Sequence, residues 1–449
     1  MAPHPDRLLP PDPAVRDIAR RLYTAVRDLP IISPHGHVDP RLLLDDLPFT
    51  DPAALFIQPD HYVTRLLHAG GVSLSALGVG SSLSPARSRE AWRTLCEHWH
   101  LLRGTPVHYW LSSSLASFFG ITSRPSAGNA DALYDQIAGQ ALRPRSALAS
   151  FGLSFLATTD DPASDLAVHD ALQPVVRVAP TFRPDRYFLI DQPGWPALVS
   201  ALGDYASFLA WLAERRQYFI AHGAVSADHG HVDAGTSPLS SDEAARIYRA
   251  GLDGSVTAAE AAAFRRHMIF ESARMSCDDG LVMTLHPGVY RNHSPATFAR
   301  YGPDTGHDIP VATEFTRALQ PLLDRFGTYP GFHLVLFTVD PTAYAREIAP
   351  LAGFYPSVYA GAPWWFLDNP SEIRNFQRAV TETAGFSRLS GFIDDTRALL
   401  SIPARHDMSR RLDAGHLASL VAEHRLDEDE AHDTLHALVA DQPRTVFKL

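Results

Sequence analysis

Ile31-Ile32-Ser33-Pro34-His35-Gly36-His37 runs an apolar pair straight into a His-x-His. Side chains on a strand alternate with a period of two, so both imidazoles leave the same face, one step apart. Two neutral imidazoles converging at a strand end make half of a divalent-metal site, and Gly36 between them adds no bulk on the opposite face. Spacing alone leaves a second reading standing: two surface histidines in a loop before Asp39-Pro40. His-x-His arises easily by chance in a chain with 22 histidines.

Upstream, Asp12-Pro13 predicts a helix start, an N-cap followed by proline, with Val15, Ile18, Leu22 and Val26 on one face. Downstream, residues 40–150 read as mostly helical, in short amphipathic pieces broken by Gly and Pro. Strand-like runs then recur at 155–158, 175–178, 224–226, 281–285, 333–337, 356–359 and 389–393, and the opening run at 31–34 brings the set to eight. Helical stretches such as 199–216, 258–275 and 370–383 separate many of them. Apolar runs alternating with helices predict parallel strands joined by right-handed crossovers, and eight of them predict an α/β fold of the closed (β/α)₈ TIM-barrel type. The region 40–150 is then a helical insertion after the first strand, and 1–449 one barrel domain. An open doubly wound sheet is the alternative, but no Gly-x-Gly-x-x-Gly follows any strand.

Bulk properties narrow the function classes. The 449 residues are 45% hydrophobic and 20% charged, which suits a globular chain with ample core. A net charge of −11 without a basic stripe disfavours nucleic acid, and an acidic substrate needs local arginines. Cys96 and Cys277 stand outside any Cys-x-x-Cys, which argues against a disulfide framework or thiolate zinc site and fits a reducing compartment. No apolar run approaches the roughly 18 residues of a membrane span, so no membrane partner is expected and cytoplasm is the expected location.

In a barrel all strand C-termini surround one mouth, where barrel enzymes place their chemistry. Thr158-Thr159-Asp160-Asp161, Thr181-Phe182-Arg183, Asp228-His229, His286, Asp340, Trp364-Trp365 and Asp394-Asp395-Thr396-Arg397 follow successive strands. Loop-starting and helix-capping roles account for Asp161 and Asp340 better than for the histidines, arginines and tryptophans. A third metal ligand is expected from the last strand, which closes next to the first. Asp394 and Asp395 point to opposite faces, so one of them serves. Arg397 is placed to hold a developing oxyanion, or forms a local ion pair with Asp395. Asp60 as N-cap sets His61 and Tyr62 in a first helical turn, where amides and the helix dipole favour an anion and the two rings can shuttle a proton. Arg183 reads as a bidentate carboxylate clamp. His229 and His286 line the mouth or are hydrogen-bonded core histidines.

Taken in order, Asp60-His61-Tyr62 with Ala69-Gly70-Gly71-Val72, Pro106-Val107-His108-Tyr109-Trp110, Phe118-Phe119-Gly120-Ile121, Thr158-Thr159-Asp160-Asp161-Pro162, Thr181-Phe182-Arg183-Pro184-Asp185, His286-Pro287-Gly288, Arg291-Asn292, Trp364-Trp365-Phe366 and Asp395-Thr396-Arg397 with Arg405-His406-Asp407 and Arg410-Arg411 resemble the uronate isomerase family of the metal-dependent amidohydrolase superfamily. The resemblance implies a (β/α)₈ barrel and one divalent metal ion, expected to be zinc, held by His35, His37 and Asp395. It implies aldose–ketose isomerisation of hexuronic acids, D-glucuronate with D-fructuronate and D-galacturonate with D-tagaturonate. It also places His61, Tyr62, Arg183, His286, Trp364 and Arg397 around the substrate, with His229 and Arg291 as further contacts. Catalytic roles fall to Tyr62, His61, Asp395 and Arg397. The expected partner is a small sugar acid, with a homo-oligomer left open.

Several family positions are altered. Ser33-Pro34 stands for the usual Asp-Tyr, Asn292-His293-Ser294 for Asn-Asn-Asn, and Leu367-Asp368 for Asn-Asp, while His231 adds a histidine after Asp228-His229-Gly230. These changes touch the sugar contacts more than the metal half-site. Two other functions compete: a metal-dependent hydrolase of a sugar lactone or amide, and a barrel that binds a sugar acid without turnover.

Overall fold

The computed structural model describes residues 3–449. Seven short parallel strands follow one another around a barrel: β1 (Ile31–Ser33), β2 (Leu153–Ala157), β3 (Val178–Ala179), β4 (Ser226–His229), β5 (Val282–Leu285), and later β8 (Leu334–Leu336) and β9 (Val358–Ala360). Between them β6 (Val289–Tyr290) and β7 (Ile309–Pro310) form a small antiparallel hairpin after β5. Ladders join β1-β2-β3 and β4-β5-β8-β9 in chain order. Phe182 bridges the two sheets, its amide bonding to the Ser226 carbonyl at 3.2 Å and its carbonyl accepting the Asp228 amide at 2.9 Å. At the seam the His37 amide donates to the Thr396 carbonyl at 3.0 Å, joining the first strand's exit to the last segment of the wall.

The eighth strand expected at 389–393 does not form. Its place is marked by one bridge, Leu389 with Ala360. Gly391 sits at φ +76, outside the β region, and Ser390 turns its hydroxyl onto the Ala362 amide at 3.2 Å, so the run cannot extend a ladder. The third strand is also shorter and later than the 175–178 run predicts. The Val175 and Val176 amides both return to the Leu172 carbonyl in a turn, and only Val178–Ala179 pairs. The fourth lies at Ser226–His229 rather than 224–226, so Asp228 and His229 belong to the strand itself.

The first helix starts as expected. Asp12 accepts from the Ala14 and Val15 amides, and Ala19, Leu22 and Val26 are buried against the long helix Ile402–Ala422. Between β1 and β2 the chain is helical, including His61–Ala69, Pro85–Glu97, Pro106–Phe119 and Ala130–Gly139. The helix expected at 199–216 is broken at Gly203 into Trp195–Val199 and Tyr205–Ala221. No single helix among the described residues is long and apolar enough to cross a membrane. That bent pair passes by length and composition, yet its Trp195, Val199, Phe208, Leu212 and Phe219 are packed into the core.

Candidate active site

A cavity of about 710 Å³ opens where the strand C-termini meet. Among its lining residues are His35, His37, His61, Tyr62, His286, Trp364, Asp395 and Arg397. Strand alternation explains much of its floor. Asp228 faces inward from β4, and its Oδ1 accepts from Thr284 Oγ1 of β5 at 2.7 Å and lies 2.6 Å from His286 Nδ1. Its neighbour His229 points the other way, fully buried, with its ring stacked on Phe188 at 6.2 Å. His229 therefore does not line the cavity, and the expected substrate contact is corrected to a core position. Burial in that apolar layer lowers its pKa to about 3 and keeps it neutral.

The donors of His35, His286 and Asp395 crowd one point, and His37 reaches it on the Asp395 side. Asp395 Oδ1 lies 3.1 Å from His37 Nε2 and 3.5 Å from His35 Nε2. The ligand atoms of His35, His286 and Asp395 lie within 4.8 Å of one another, and the His35 and His286 rings stack at 4.8 Å. A tetrahedral ion with ligands at about 2.0–2.2 Å spaces its donors by roughly 3.3–3.6 Å, a spacing the His35–Asp395 separation of 3.5 Å already has. Asp395 Oδ1 and His286 Nε2 are buried without a hydrogen-bond partner, and the Asp228 bond at His286 Nδ1 leaves Nε2 as the free ring nitrogen. The residues present fit a metal. His286, expected only as a substrate contact, joins the donor cluster.

The electrostatics agree. Burial pulls the His35 pKa down to about 4, the neighbouring carboxylates opposing it only in part, so the ring is neutral and ready to ligate. Burial alone would raise Asp395, but His35, His37 and His286 around it hold it well below the usual carboxylate range. Asp228 is likewise pulled down by Arg183 and His286 against the effect of burial. The choice between the two aspartates has a structural reason. Asp395 is left-handed at φ +42 and turns into the mouth, whereas Asp394 bonds His406 at 3.0 Å beneath the barrel.

Other expected residues take different partners. Arg183 is no free clamp: its Nε donates to Asp185 at 2.9 Å and its Nη1 lies 3.0 Å from Asp228. Arg397 does not pair with Asp395. Its Nη2 donates at 2.9 Å to Asp304, on a loop over the mouth, and Arg291 reaches Asp308 at 3.1 Å. That loop comes close at Gly306 (φ +92), where a Cβ would stand 3.2 Å from the His61 carbonyl. Asp60 caps the His61–Ala69 helix as predicted, but its side chain takes the Tyr62 amide and its carbonyl takes those of Val63 and Thr64. These three amides are spent internally and are not free for the anion expected there. His61 faces the cavity with Nε2 unpartnered, and burial lowers its pKa to about 3. Trp364 meets His286 in a T-shaped contact at 4.6 Å.

The sequence reading passed over Asp368, Arg405 and Asp304 as site residues. Tyr62 donates its hydroxyl to Asp368 at 2.8 Å, and Arg405 Nη1 donates to the same oxygen at 2.8 Å. A charged residue among buried aromatics was the available signal for Asp368. Asp304, in Gly302-Pro303-Asp304, looks like any surface turn.

A family model described as glucuronate isomerase matches residues 14–442. The uronate isomerase of Corynebacterium efficiens is 52% identical, over 100% of this chain and 99% of that protein. The crystal structure of glucuronate isomerase from Caulobacter crescentus superposes with a TM-score of 0.96 at 43% identity, covering 100% of this chain and 97% of that one. The uronate isomerase of Thermotoga maritima gives 0.93 at 27% identity, with both chains fully covered. Barrel, mouth and full-length similarity agree: this chain belongs to the uronate isomerase family and is an aldose–ketose isomerase of hexuronic acids.

Proposed function

We propose that the reaction runs at this mouth through an enediolate, and that His35, His37 and Asp395, with His286 beside them, would hold one divalent ion, zinc. The observation that carries the reading is the convergence of the His35, His286 and Asp395 ligand atoms within 4.8 Å of one another, with His37 Nε2 3.1 Å from Asp395. Such an ion supplies Lewis acidity to substrate oxygens. Isomerisation removes the C2 proton and returns it at C1, which needs a base at C2 and positive charge near the developing oxyanion. Tyr62, on the cavity wall, handles the carbon-bound proton. Asp395 moves the hydroxyl proton. Arg397, exposed and paired with Asp304, supplies the positive charge, while neutral His61 and the Trp364 ring orient the sugar.

The proposed pairs are D-glucuronate with D-fructuronate, D-galacturonate with D-tagaturonate, or both. Proton NMR of zinc-reconstituted protein with each aldose tests the reading. Interconversion with solvent deuterium entering the product supports it. Turnover with complete retention of the C2 label argues against free exchange through an enediolate, and hydrolysis of a sugar lactone without uronate turnover would replace the function.

A further inference from the structure

We propose that Asp368 is a positioning residue for the isomerisation, a buried carboxylate that receives the Tyr62 hydroxyl proton as Tyr62 takes the proton from carbon. The inference rests on the isomerase reading above, with Tyr62 at C2.

Tyr62 and Arg405 line the cavity, whereas Asp368 does not; it lies buried behind the phenol and cannot touch a sugar. Its Oδ2 accepts from Tyr62 Oη and from Arg405 Nη1, both at 2.8 Å, and its Oδ1 is buried with no partner. Arg405 is fixed in turn, its guanidinium 3.6 Å over the Trp110 ring and its Nε donating to Ser401 at 3.2 Å. Trp110 closes the other side of Tyr62, edge-on at 5.5 Å. Phenol, carboxylate and guanidinium thus form a fixed chain, with the carboxylate set behind two residues of the cavity wall.

The backbone holds Asp368 there at a cost. The preceding Trp365 and Phe366 are both left-handed, at φ +23 and +60, and the Leu367 amide folds back onto the Trp364 and Trp365 carbonyls. Non-glycine residues in that region cost of order 1–3 kcal/mol each and persist where the surroundings over-determine them. The strained turn delivers the Trp364 ring to the mouth and the Asp368 carboxylate to Tyr62.

The chemistry needs such an acceptor. Burial and the adjacent Asp368 charge raise the Tyr62 pKa well above its usual value, so a free phenolate is a poor resting base. In a relay no phenolate accumulates. The C2–H bond breaks and its proton goes to the phenol oxygen, the phenolic O–H proton passes to Asp368 Oδ2, and the electron pair stays on the substrate as the enediolate. Reversal delivers the proton to C1. Charge is conserved, one carboxylate being exchanged for one enediolate, and no oxidant or co-reactant enters.

Asp368→Asn, Tyr62→Phe and the double variant test this, with zinc-loaded protein and D-glucuronate or D-galacturonate. Asp368→Asn is expected to lower kcat about 100-fold or more with KM changed less than about threefold, and the double variant to be no slower than Tyr62→Phe. A kcat within about threefold of wild type, or losses that multiply in the double variant, overturns the relay. The wild type gives a readout that survives misfolding of any variant. A solvent deuterium effect on kcat of about 2 is expected to persist with C2-deuterated substrate, because both protons move in one step. No solvent effect, or one that vanishes with the deuterated sugar, overturns it. Wild-type protein inactive on every hexuronate would instead overturn the isomerase reading, and the relay with it.

Discussion

Asp228→Asn is the perturbation whose consequences follow most directly from the geometry. The carboxylate is fully buried; its Oδ1 takes Thr284 Oγ1 at 2.7 Å and His286 Nδ1 at 2.6 Å, and its Oδ2 makes an ion-pair contact with Arg183 Nη1 at 3.0 Å. An amide keeps one oxygen and turns an NH₂ toward the other donors. Breaking a buried charge pair costs about 3–5 kcal/mol, and Arg183 retains Asp185, so we expect about 2–3 kcal/mol of lost stability. The same change releases His286 from the tautomer that leaves Nε2 free, and loss of such a partner typically costs about 10–100-fold in metal affinity. Urea unfolding of metal-free protein measures the first quantity, and zinc competition against a chelating dye the second. Because Asp228 is held well below its ordinary pKa, its contribution is present above about pH 4 and lost below it. The wild-type excess over Asp228→Asn should therefore shrink in acid. A variant within about 0.5 kcal/mol of wild type, with unchanged zinc affinity, would refute the reasoning.

Tyr62→Phe should lower kcat by about 100-fold or more and leave zinc affinity unchanged; NMR turnover and dye competition check the pair of outcomes. Asp304→Asn removes the carboxylate on Arg397, so KM for the hexuronate should fall several-fold; an unchanged or higher KM would show that Asp304 does not compete with substrate. His35 and His229 have folded pKa values of about 4 and about 3, below the unfolded value near 6.5. The unfolded state then binds more protons between those values, so metal-free protein should lose about 2 kcal/mol per histidine between pH 6.5 and 5, seen as a falling urea midpoint. Gly36→Ala should be tolerated, because its Cβ would meet only ordinary contacts, the nearest being the Ala157 carbonyl at 3.5 Å; a large drop in thermal midpoint would contradict that.

The fold was legible where strands are continuous apolar runs. Periodicity found Ile31–Ser33, Val282–Leu285 and Leu334–Leu336 nearly in place, because buried parallel strands carry that pattern. It misread 389–393, where Gly391 and the Ser390 hydroxyl break the ladder, and 175–178, where Val175 and Val176 form a turn, since both runs have strand composition without strand geometry. His35, His37, Tyr62, His286, Trp364 and Asp395 were legible as mouth residues because strand ends and a capped helix point them inward. Charge pairing was not. Arg183 is matched to Asp228 and Arg397 to Asp304, far apart in the chain, and only the folded barrel brings these partners together; the Arg183–Asp185 pair is local. His229 was misplaced because its strand begins two residues later than its apolar run suggests.

The most direct measurement is an anomalous difference map at the zinc edge from crystals of the zinc-reconstituted enzyme. The account predicts one peak at the barrel mouth, about 2.0–2.2 Å from His35 Nε2, His37 Nε2 and Asp395 Oδ1, with His286 adjacent. No peak there, or an ion bound elsewhere while the enzyme turns over, would contradict it.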